Sequence, residues 1–220
     1  MRKTAIVLLI VAAFLGIVWV GRPGRRSAPQ NEPSHAKEDG ERSRLASPTP
    51  VPAPPDTQTR VDLPDVLIDP EIHINKADRT LDLLSDGVVV KTYRVALGSN
   101  DVGDKEIEGD GRTPEGEFYV CTRSSDSRYH RALGLSYPSY DDAERGLESG
   151  VITKREYSAI THALDRMARP PWNTALGGEI MIHGGGTARD WTFGCVALDD
   201  TDAEELYNAV PLGTPVIIGP

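Results

Sequence analysis

The sequence predicts a mainly β domain with peripheral helices, and three features of the chain support that fold class. Residues 71–75 and 80–85 alternate apolar and polar side chains, which is the pattern of a half-buried strand. Asp86-Gly87, directly after the second segment, is a strong signal for a two-residue hairpin turn. Thr153 and Glu156 form the sequence of a capping box ahead of an apolar stripe with helical spacing, which predicts a helix.

The other predicted elements follow in order along the chain, and turn residues bound most of them. Strands are predicted at residues 71–75, 80–85, 88–97, 116–121, 179–183, 195–198 and 214–218. Helices are predicted at residues 141–149, 153–167 and 202–210. A Gly- and Asp-rich loop at 98–112 interrupts the first group of strands. Pro170-Pro171 ends the second helix, and Asp200 or Thr201 can cap the third.

Residues 1–21 have the pattern of a membrane-targeting segment. A basic start, Met1-Arg2-Lys3, precedes seventeen uncharged residues from Thr4 to Val20. A signal-peptide core is usually about 7–15 residues long, whereas a spanning helix needs about 17–25. Because no small-x-small cleavage site follows, we expect an uncleaved single-pass anchor in the inner membrane, with a cleaved signal as the alternative.

Residues 22–62 are predicted to be a disordered, Pro-rich linker before a folded domain at 63–220. The segment contains no apolar run and is rich in Pro, Ser, Arg and Glu, so it cannot bury a core. Such a chain favours polyproline II geometry and, at about 3.1 Å per residue, reaches on the order of 100 Å. It is either a tether that extends the reach of the domain or a spacer with no specific role.

The folded part of the chain is acidic. The chain has 24 basic and 33 acidic residues. The first 60 residues contain 9 of the basic and 5 of the acidic ones. Residues 61–220 therefore contain 15 basic and 28 acidic residues. That surface does not suit nucleic acid, because lysine and arginine must neutralise the phosphates. We therefore expect no nucleic-acid partner.

Cys195 and His183 are the residues with the clearest chemical potential. Each lies at the glycine-flanked end of a predicted strand, and twelve residues separate them. A nearby imidazole lowers the pKa of a thiol, and the thiolate is the nucleophile in cysteine catalysis. The alternatives are a structural cysteine beside an unrelated histidine, and a Cys121–Cys195 disulfide that would block the thiol. No pattern of metal ligands surrounds His183, so we expect no metal.

Several motifs in this chain together resemble the L,D-transpeptidase catalytic domain of the YkuD type. The resemblance extends over about Glu71 to Ile218, nearly the whole folded part. In that family a His-Gly pair is followed, after a loop, by Ser/Thr-x-Gly-Cys. The matching segments are Ile182-His183-Gly184, Thr192-Phe193-Gly194-Cys195, Ala96-Leu97-Gly98, Thr113-Pro114-Glu115-Gly116-Glu117-Phe118 and Leu135-Ser136-Tyr137-Pro138.

The resemblance implies a β-sandwich-like fold and cysteine acyl transfer on peptidoglycan tetrapeptide stems, without a metal or organic cofactor. Cys195 would be the nucleophile and His183 the base and acid. The Gly184 carbonyl would orient the imidazole, and the backbone at Gly194 would stabilise the oxyanion, in roles common to Cys-His sites. Thr192, Tyr137 and Trp191 are candidates for substrate binding, with Trp172 as a further cleft residue.

Two departures from the family pattern leave the acyl acceptor open. Phe193 stands where many members have a second histidine, and Ala197 where many have an arginine. This form resembles a subgroup whose members include hydrolases that cut protein–peptidoglycan links. The alternatives to a transpeptidase are therefore a cysteine hydrolase, acting as an amidase or L,D-carboxypeptidase, and an inactive wall-binding module. All of them imply the bacterial cell envelope, either at the periplasmic face of the inner membrane or, after cleavage, in the periplasm.

Overall fold

The computed structural model describes residues 63–100 and 102–220, so the predicted anchor at 1–21 and linker at 22–62 lie outside the described residues. Eight strands and three helices are present in that part of the chain. The strands are β1 Glu71–Asn75, β2 Thr80–Ser85, β3 Val88–Arg94, β4 Gly116–Ser127, β5 His130–Leu135, β6 Met181–His183, β7 Val196–Ala197 and β8 Pro215–Gly219. The helices are α1 Tyr140–Glu148, α2 Lys154–Leu164 and α3 Asp200–Ala209. The predicted mainly β class with peripheral helices is confirmed.

The strands form one sheet in the order β3-β2-β1-β8-β4-β5-β6-β7. The β1–β8 and β6–β7 pairs are parallel, and the other pairs are antiparallel. The two ends of the sheet meet, because Ala96, just after β3, exchanges two backbone hydrogen bonds of 2.9 and 2.8 Å with Ala197 of β7. A second bridge joins Gly98 to Thr192. The sheet thus curls on itself, and its closing seam lies beside Cys195.

The core fills the inside of this curled sheet. The alternating strands supply buried side chains from both ends of the chain, among them Ile72, Leu81, Leu133 and Val216. α3 adds Ala203 and Leu206 to the same cluster, while α1 and α2 pack around a second, smaller cluster. Burying one such aliphatic side chain stabilises the fold by roughly 1.5–3 kcal/mol. The sheet that carries Cys195 and His183 is therefore a rigid support.

Two of the three helices begin with a capping box, and the sequence predicted the one at Thr153. Ser139 and Thr153 both form complete capping boxes, with Asp142 and Glu156 returning a bond to the cap backbone. α3 begins at Asp200, two residues before its predicted start, with Asp199 at the N-cap but without a side-chain cap bond. Within residues 63–100 and 102–220, no helix is both long and apolar enough to cross a bilayer.

The main error of the sequence-based assignment is the β4–β5 hairpin. β4 continues to Ser127 instead of ending at residue 121, and β5 was not predicted at all. The hairpin turns at Arg128-Tyr129 with neither glycine nor proline, so the usual turn signal is missing. Its tip reaches the region around His183, which makes this omission relevant to the site.

Candidate active site

The parallel pair of β6 and β7 brings His183 and Cys195 to neighbouring positions. His183 pairs with Ala197, and Ile182 pairs with Val196. Cys195, one residue before β7, therefore lies across from Met181. Because side chains alternate along a strand, Cys195 and His183 project on the same face, whereas Ile182 and Val196 fill the core on the other.

His183 is held in one orientation by its own backbone neighbour. Its side chain is almost fully buried, and its Nδ1–H donates to the carbonyl oxygen of Gly184 at 2.5 Å. That bond assigns the proton of the neutral ring to Nδ1 and leaves Nε2 as the basic nitrogen. Burial lowers the pKa of His183, an effect that the Gly184 hydrogen bond partly opposes.

Two aromatic rings enclose the His183 imidazole. The Tyr129 ring lies stacked on it, with ring centroids 4.8 Å apart and an interplanar angle of 23°. Trp191 meets it edge to face at 5.7 Å, and Trp191 and Tyr129 are 5.3 Å apart. Trp191, which the sequence singled out, thus packs against the candidate base. Tyr129 was missed because the hairpin that carries it was missed.

The Cys195 thiol is partly exposed and is surrounded mainly by backbone groups. Sγ donates to the carbonyl oxygen of Glu179 at 3.4 Å, and Glu179 has a left-handed backbone with φ of 55°. The pKa of Cys195 is raised, mainly by burial. A backbone hydrogen bond from Met181 and the positive charge of Lys105 lower it, and the negative charge of Glu179 raises it. The raised value differs from the sequence expectation of a thiol acidified by its histidine, because enclosure penalises the charged thiolate.

The Thr192 hydroxyl forms two hydrogen bonds within the protein, and its predicted role in substrate binding stays a prediction. The side chain is buried, its Oγ1 donates to the carbonyl of Cys195 at 2.7 Å, and it accepts a bond from the Gly194 N–H at 3.1 Å. Both hydrogen bonds close the turn that presents the nucleophile. The Gly194 N–H donates to Thr192 in this structure, and its predicted role as an oxyanion donor stays a prediction.

Two features of the structure explain why residue 194 is glycine. Its φ is +127°, and a Cβ at this position would lie 2.6 Å from the carbonyl oxygen of Arg112. The left-handed φ and the close contact with the 98–112 loop both require glycine. Gly184 is similar, since a Cβ there would lie 2.5 Å from Oδ1 of Asp200.

Three aspartates hold the segments on either side of the candidate pair. Asp200 accepts a bond from Gly185 N–H at 2.8 Å, and Asp199 accepts one from Thr187 N–H at 3.1 Å. Asp190 accepts a bond from Leu97 N–H at 2.7 Å and also pairs with an arginine of the β1–β2 turn. Of these three, only Asp200 was singled out from the sequence, as a possible cap of the third helix. Asp190 lies within the loop between His183 and Cys195, and Asp199 and Asp200 lie shortly after Cys195, which was the only available signal.

Tyr137 does not belong to the site. It is fully buried in the core, and its hydroxyl donates to the carbonyl of Leu176 at 3.0 Å, so its side chain does not reach the surface near Cys195 in this structure. Trp172 lies under the Arg169 guanidinium at 4.7 Å and packs against Gly178. Cys121 and Cys195 are both free, so the alternative disulfide is not formed. A cavity of about 520 Å³ beside α1 includes neither Cys195 nor His183 in its lining.

The family model of the L,D-transpeptidase catalytic domain, YkuD, matches residues 69–218. The chain belongs to this family. YafK of Escherichia coli, from strains K12 and O157:H7, is provisionally named as an L,D-transpeptidase and is 34% identical over 84 residues. That match covers 35% of this chain and 34% of YafK, so the chain matches only about a third of the length of these relatives.

Two solved structures are similar to this chain at low sequence identity. The L,D-transpeptidase from Xylanimonas cellulosilytica is 18% identical with a TM-score of 0.41, over 71% of this chain and 63% of that one. The helical cell shape determining protein Pgp2 from Campylobacter jejuni is 22% identical with a TM-score of 0.44, over 70% of this chain and 48% of that one.

Proposed function

We propose that this YkuD-family protein is an L,D-transpeptidase that acts on peptidoglycan tetrapeptide stems through a Cys195 acyl-enzyme. The observation that carries the proposal is the arrangement of His183, which is buried, fixed through Nδ1 and on the same face as Cys195. A nucleophile, a base and a group that orients the base are the three parts of a cysteine acyl-transfer site.

The pKa directions support a resting pair that is neutral. Burial raises the pKa of Cys195 and lowers that of His183, so both charged forms are disfavoured. Nε2 of His183 then takes the thiol proton as Sγ attacks the carbonyl of the meso-diaminopimelate residue of the donor stem. The resulting imidazolium gives this proton to the amine of the departing D-alanine, which leaves a thioester on Cys195.

The second half of the reaction reverses these proton transfers. An acceptor amine attacks the thioester while His183 removes its proton, and the thiolate leaves and is reprotonated. The Cys195 N–H is a better candidate for stabilising the oxyanion than the Gly194 N–H that the family resemblance implies. The Gly194 N–H already donates to Thr192.

Hydrolysis is the second candidate function, and Ala197 favours it. Ala197 is fully buried on β7, in the position where many family members have an arginine. Strand β7 therefore offers no cation to hold a carboxylate of an incoming stem. Water would then take the place of the amine, and the enzyme would shorten or release stems instead of joining them.

The predicted anchor at 1–21 and the linker at 22–62 support a location at the periplasmic face of the inner membrane. A domain tethered by a linker of this composition can reach a substrate on the order of 100 Å from the bilayer. A cleaved signal would place the same domain free in the periplasm. Fractionation of cells that produce the full chain separates these two locations.

Purified sacculi distinguish the candidate reactions. The full chain, its Cys195→Ala variant and a Cys121→Ser control are incubated with sacculi, and the muropeptides are then separated. New 3→3 cross-links indicate transfer, whereas shortened or released stems without new links indicate hydrolysis. Activity should be lost in Cys195→Ala and kept in Cys121→Ser. An unchanged profile with every form would favour the inactive wall-binding module and contradict the proposal.

A further inference from the structure

Tyr129, at the tip of the β4–β5 hairpin, stacks on the His183 ring and is nearer to it than Trp191. The near-parallel stack at 4.8 Å leaves one face of the imidazole covered by the phenol ring. The hairpin also touches the backbone there, since a Cβ on Gly184 would lie 3.0 Å from the Tyr129 carbonyl oxygen. The contact is therefore between the hairpin tip and the whole His183-Gly184 unit.

Trp191 completes the enclosure from a second direction. Its ring meets His183 edge to face, and its Nε1–H donates to the carbonyl of Gly186 at 3.1 Å. Aromatic pairs in these offset and edge-on geometries are favourable beyond the area they bury. With Nδ1 bonded to Gly184 and a ring on one face, rotation of the imidazole requires breaking the bond or moving Tyr129.

The hairpin is itself held in place by α3. The guanidinium groups of Arg123 and Arg131, one on each strand of the hairpin, lie 4.3 and 5.4 Å from the ring centre of Tyr207. Arg131 also approaches Glu204 at 3.6 Å. Cation–π contacts of this kind fix position as well as adding energy. Tyr129 is thus presented to His183 from a braced element.

We propose that Tyr129 is a positioning residue, whose ring holds the His183 imidazole in the plane required for proton exchange with Cys195 and keeps water from one of its faces. The proposal rests on the proposed Cys195–His183 chemistry. It assigns the effect to the aromatic ring, not to the phenol hydroxyl. It also gives the β4–β5 hairpin a function in the reaction.

The test uses a Cys121→Ser background, in which Cys195 is the only thiol of the chain. Tyr129→Phe keeps the ring, Tyr129→Leu removes it, and Tyr140→Leu is a matched control at an exposed tyrosine on α1. Two quantities are measured against pH: the titration of the His183 ring by NMR and the rate of Cys195 alkylation by iodoacetamide. Neither requires the natural substrate.

We expect Tyr129→Leu to raise the midpoint of the His183 titration, because water then reaches the ring and stabilises its charged form. The alkylation rate near neutral pH should fall about tenfold to a hundredfold, the usual effect of a misplaced catalytic group. Tyr129→Phe and Tyr140→Leu should match the parent. The ionisable groups around the His183-Gly184 unit and the hairpin are Asp199, Asp200, Glu204, His130 and Arg131. All five are the same in every variant, so a shift reports the ring.

Tyr207→Leu is a second perturbation, which releases the hairpin without changing Tyr129. It should raise the midpoint of the His183 titration and lower the Cys195 alkylation rate, both by less than Tyr129→Leu does. The proposal is overturned if Tyr129→Leu titrates and reacts like the parent, or if Tyr129→Phe is impaired as much as Tyr129→Leu. His183→Gln separates this outcome from failure of the proposed function. An alkylation rate unchanged in His183→Gln would refute the Cys195–His183 pairing, while the NMR titration still tests the stack.

Discussion

Replacing Thr192 with valine tests whether this residue builds the nucleophile turn or binds substrate. Valine keeps the volume and branching of threonine but removes the hydroxyl, which bonds the Cys195 carbonyl at 2.7 Å and the Gly194 N–H at 3.1 Å. Each lost hydrogen bond costs about 1 kcal/mol, and a buried donor left without a partner costs about 1–3 kcal/mol. The free energy of unfolding should therefore fall by about 2–4 kcal/mol.

The assay is urea and thermal unfolding of the protein with Thr192→Val, with Thr192→Ser as the matched control. A domain of this size loses about 2–4 °C in Tm per kcal/mol, so Thr192→Val should melt about 5–15 °C lower. Thr192→Ser keeps both hydrogen bonds and loses one methyl group, so it should cost only about 1 kcal/mol. If Thr192→Val unfolds like the parent but loses activity on sacculi, the structural assignment is wrong and the substrate-binding role is supported.

Three further predictions follow from the same neighbourhood. Gly194→Ala should cost at least about 2 kcal/mol in urea unfolding, because its Cβ meets the Arg112 carbonyl at 2.6 Å and φ is +127°; wild-type stability would contradict this close contact. The pKa of His183 is lower in the folded protein than its usual value near 6.5, so below pH 6.5 the unfolded chain binds more protons than the folded one. The free energy of unfolding should therefore fall as the pH drops from 6.5 through the folded-state pKa of His183. In urea unfolding at the same pH values, His183→Gln should not show this pH-dependent loss. Asp110 accepts bonds from Lys105 Nζ and three backbone amides, and its pKa is lowered by these bonds against the effect of burial. Asp110→Asn should thus lose about 2–4 kcal/mol above pH 4 and progressively less as pH falls through the folded-state pKa, and an equal loss at every pH would refute the charge-based account.

The sequence predicted correctly those elements whose signals lie within a few neighbouring residues. The alternation at residues 71–75 and 80–85, the hairpin at Asp86-Gly87 and the capping box at Thr153 all predicted elements that the structure contains. Each of these signals depends on residues within a few positions of one another. The family resemblance, which depends on ordered motifs over about 150 residues, is likewise confirmed.

The errors concern contacts between distant segments. Tyr137 was assigned to the cleft from its motif, but the direction of its side chain into the core depends on packing against Leu176. Tyr129 was overlooked because its hairpin has no glycine or proline, and the stack on His183 joins residues 54 positions apart. Gly194 was linked to substrate, although its neighbour is the Arg112 carbonyl. Contacts between residues that are far apart in the chain leave no pattern among neighbouring residues of the sequence.

The enclosure of His183 and Cys195 has opposite effects on the resting state and on the reaction. In the resting protein it disfavours both the imidazolium and the thiolate, which is why the pKa of His183 is lowered and that of Cys195 raised. During attack the two charges appear together and close to each other, and their attraction grows as the effective dielectric falls: at about 4 Å it is about 1 kcal/mol in water and about 4 kcal/mol near a protein surface. A neutral pair also reacts slowly with small electrophiles at mildly acidic pH. The alkylation rate of Cys195 should therefore keep rising from pH 6 to pH 9. A plateau below pH 7 would indicate that the thiolate is already formed there and would contradict the raised pKa of Cys195, whereas the dependence of the rate on His183 is tested by His183→Gln.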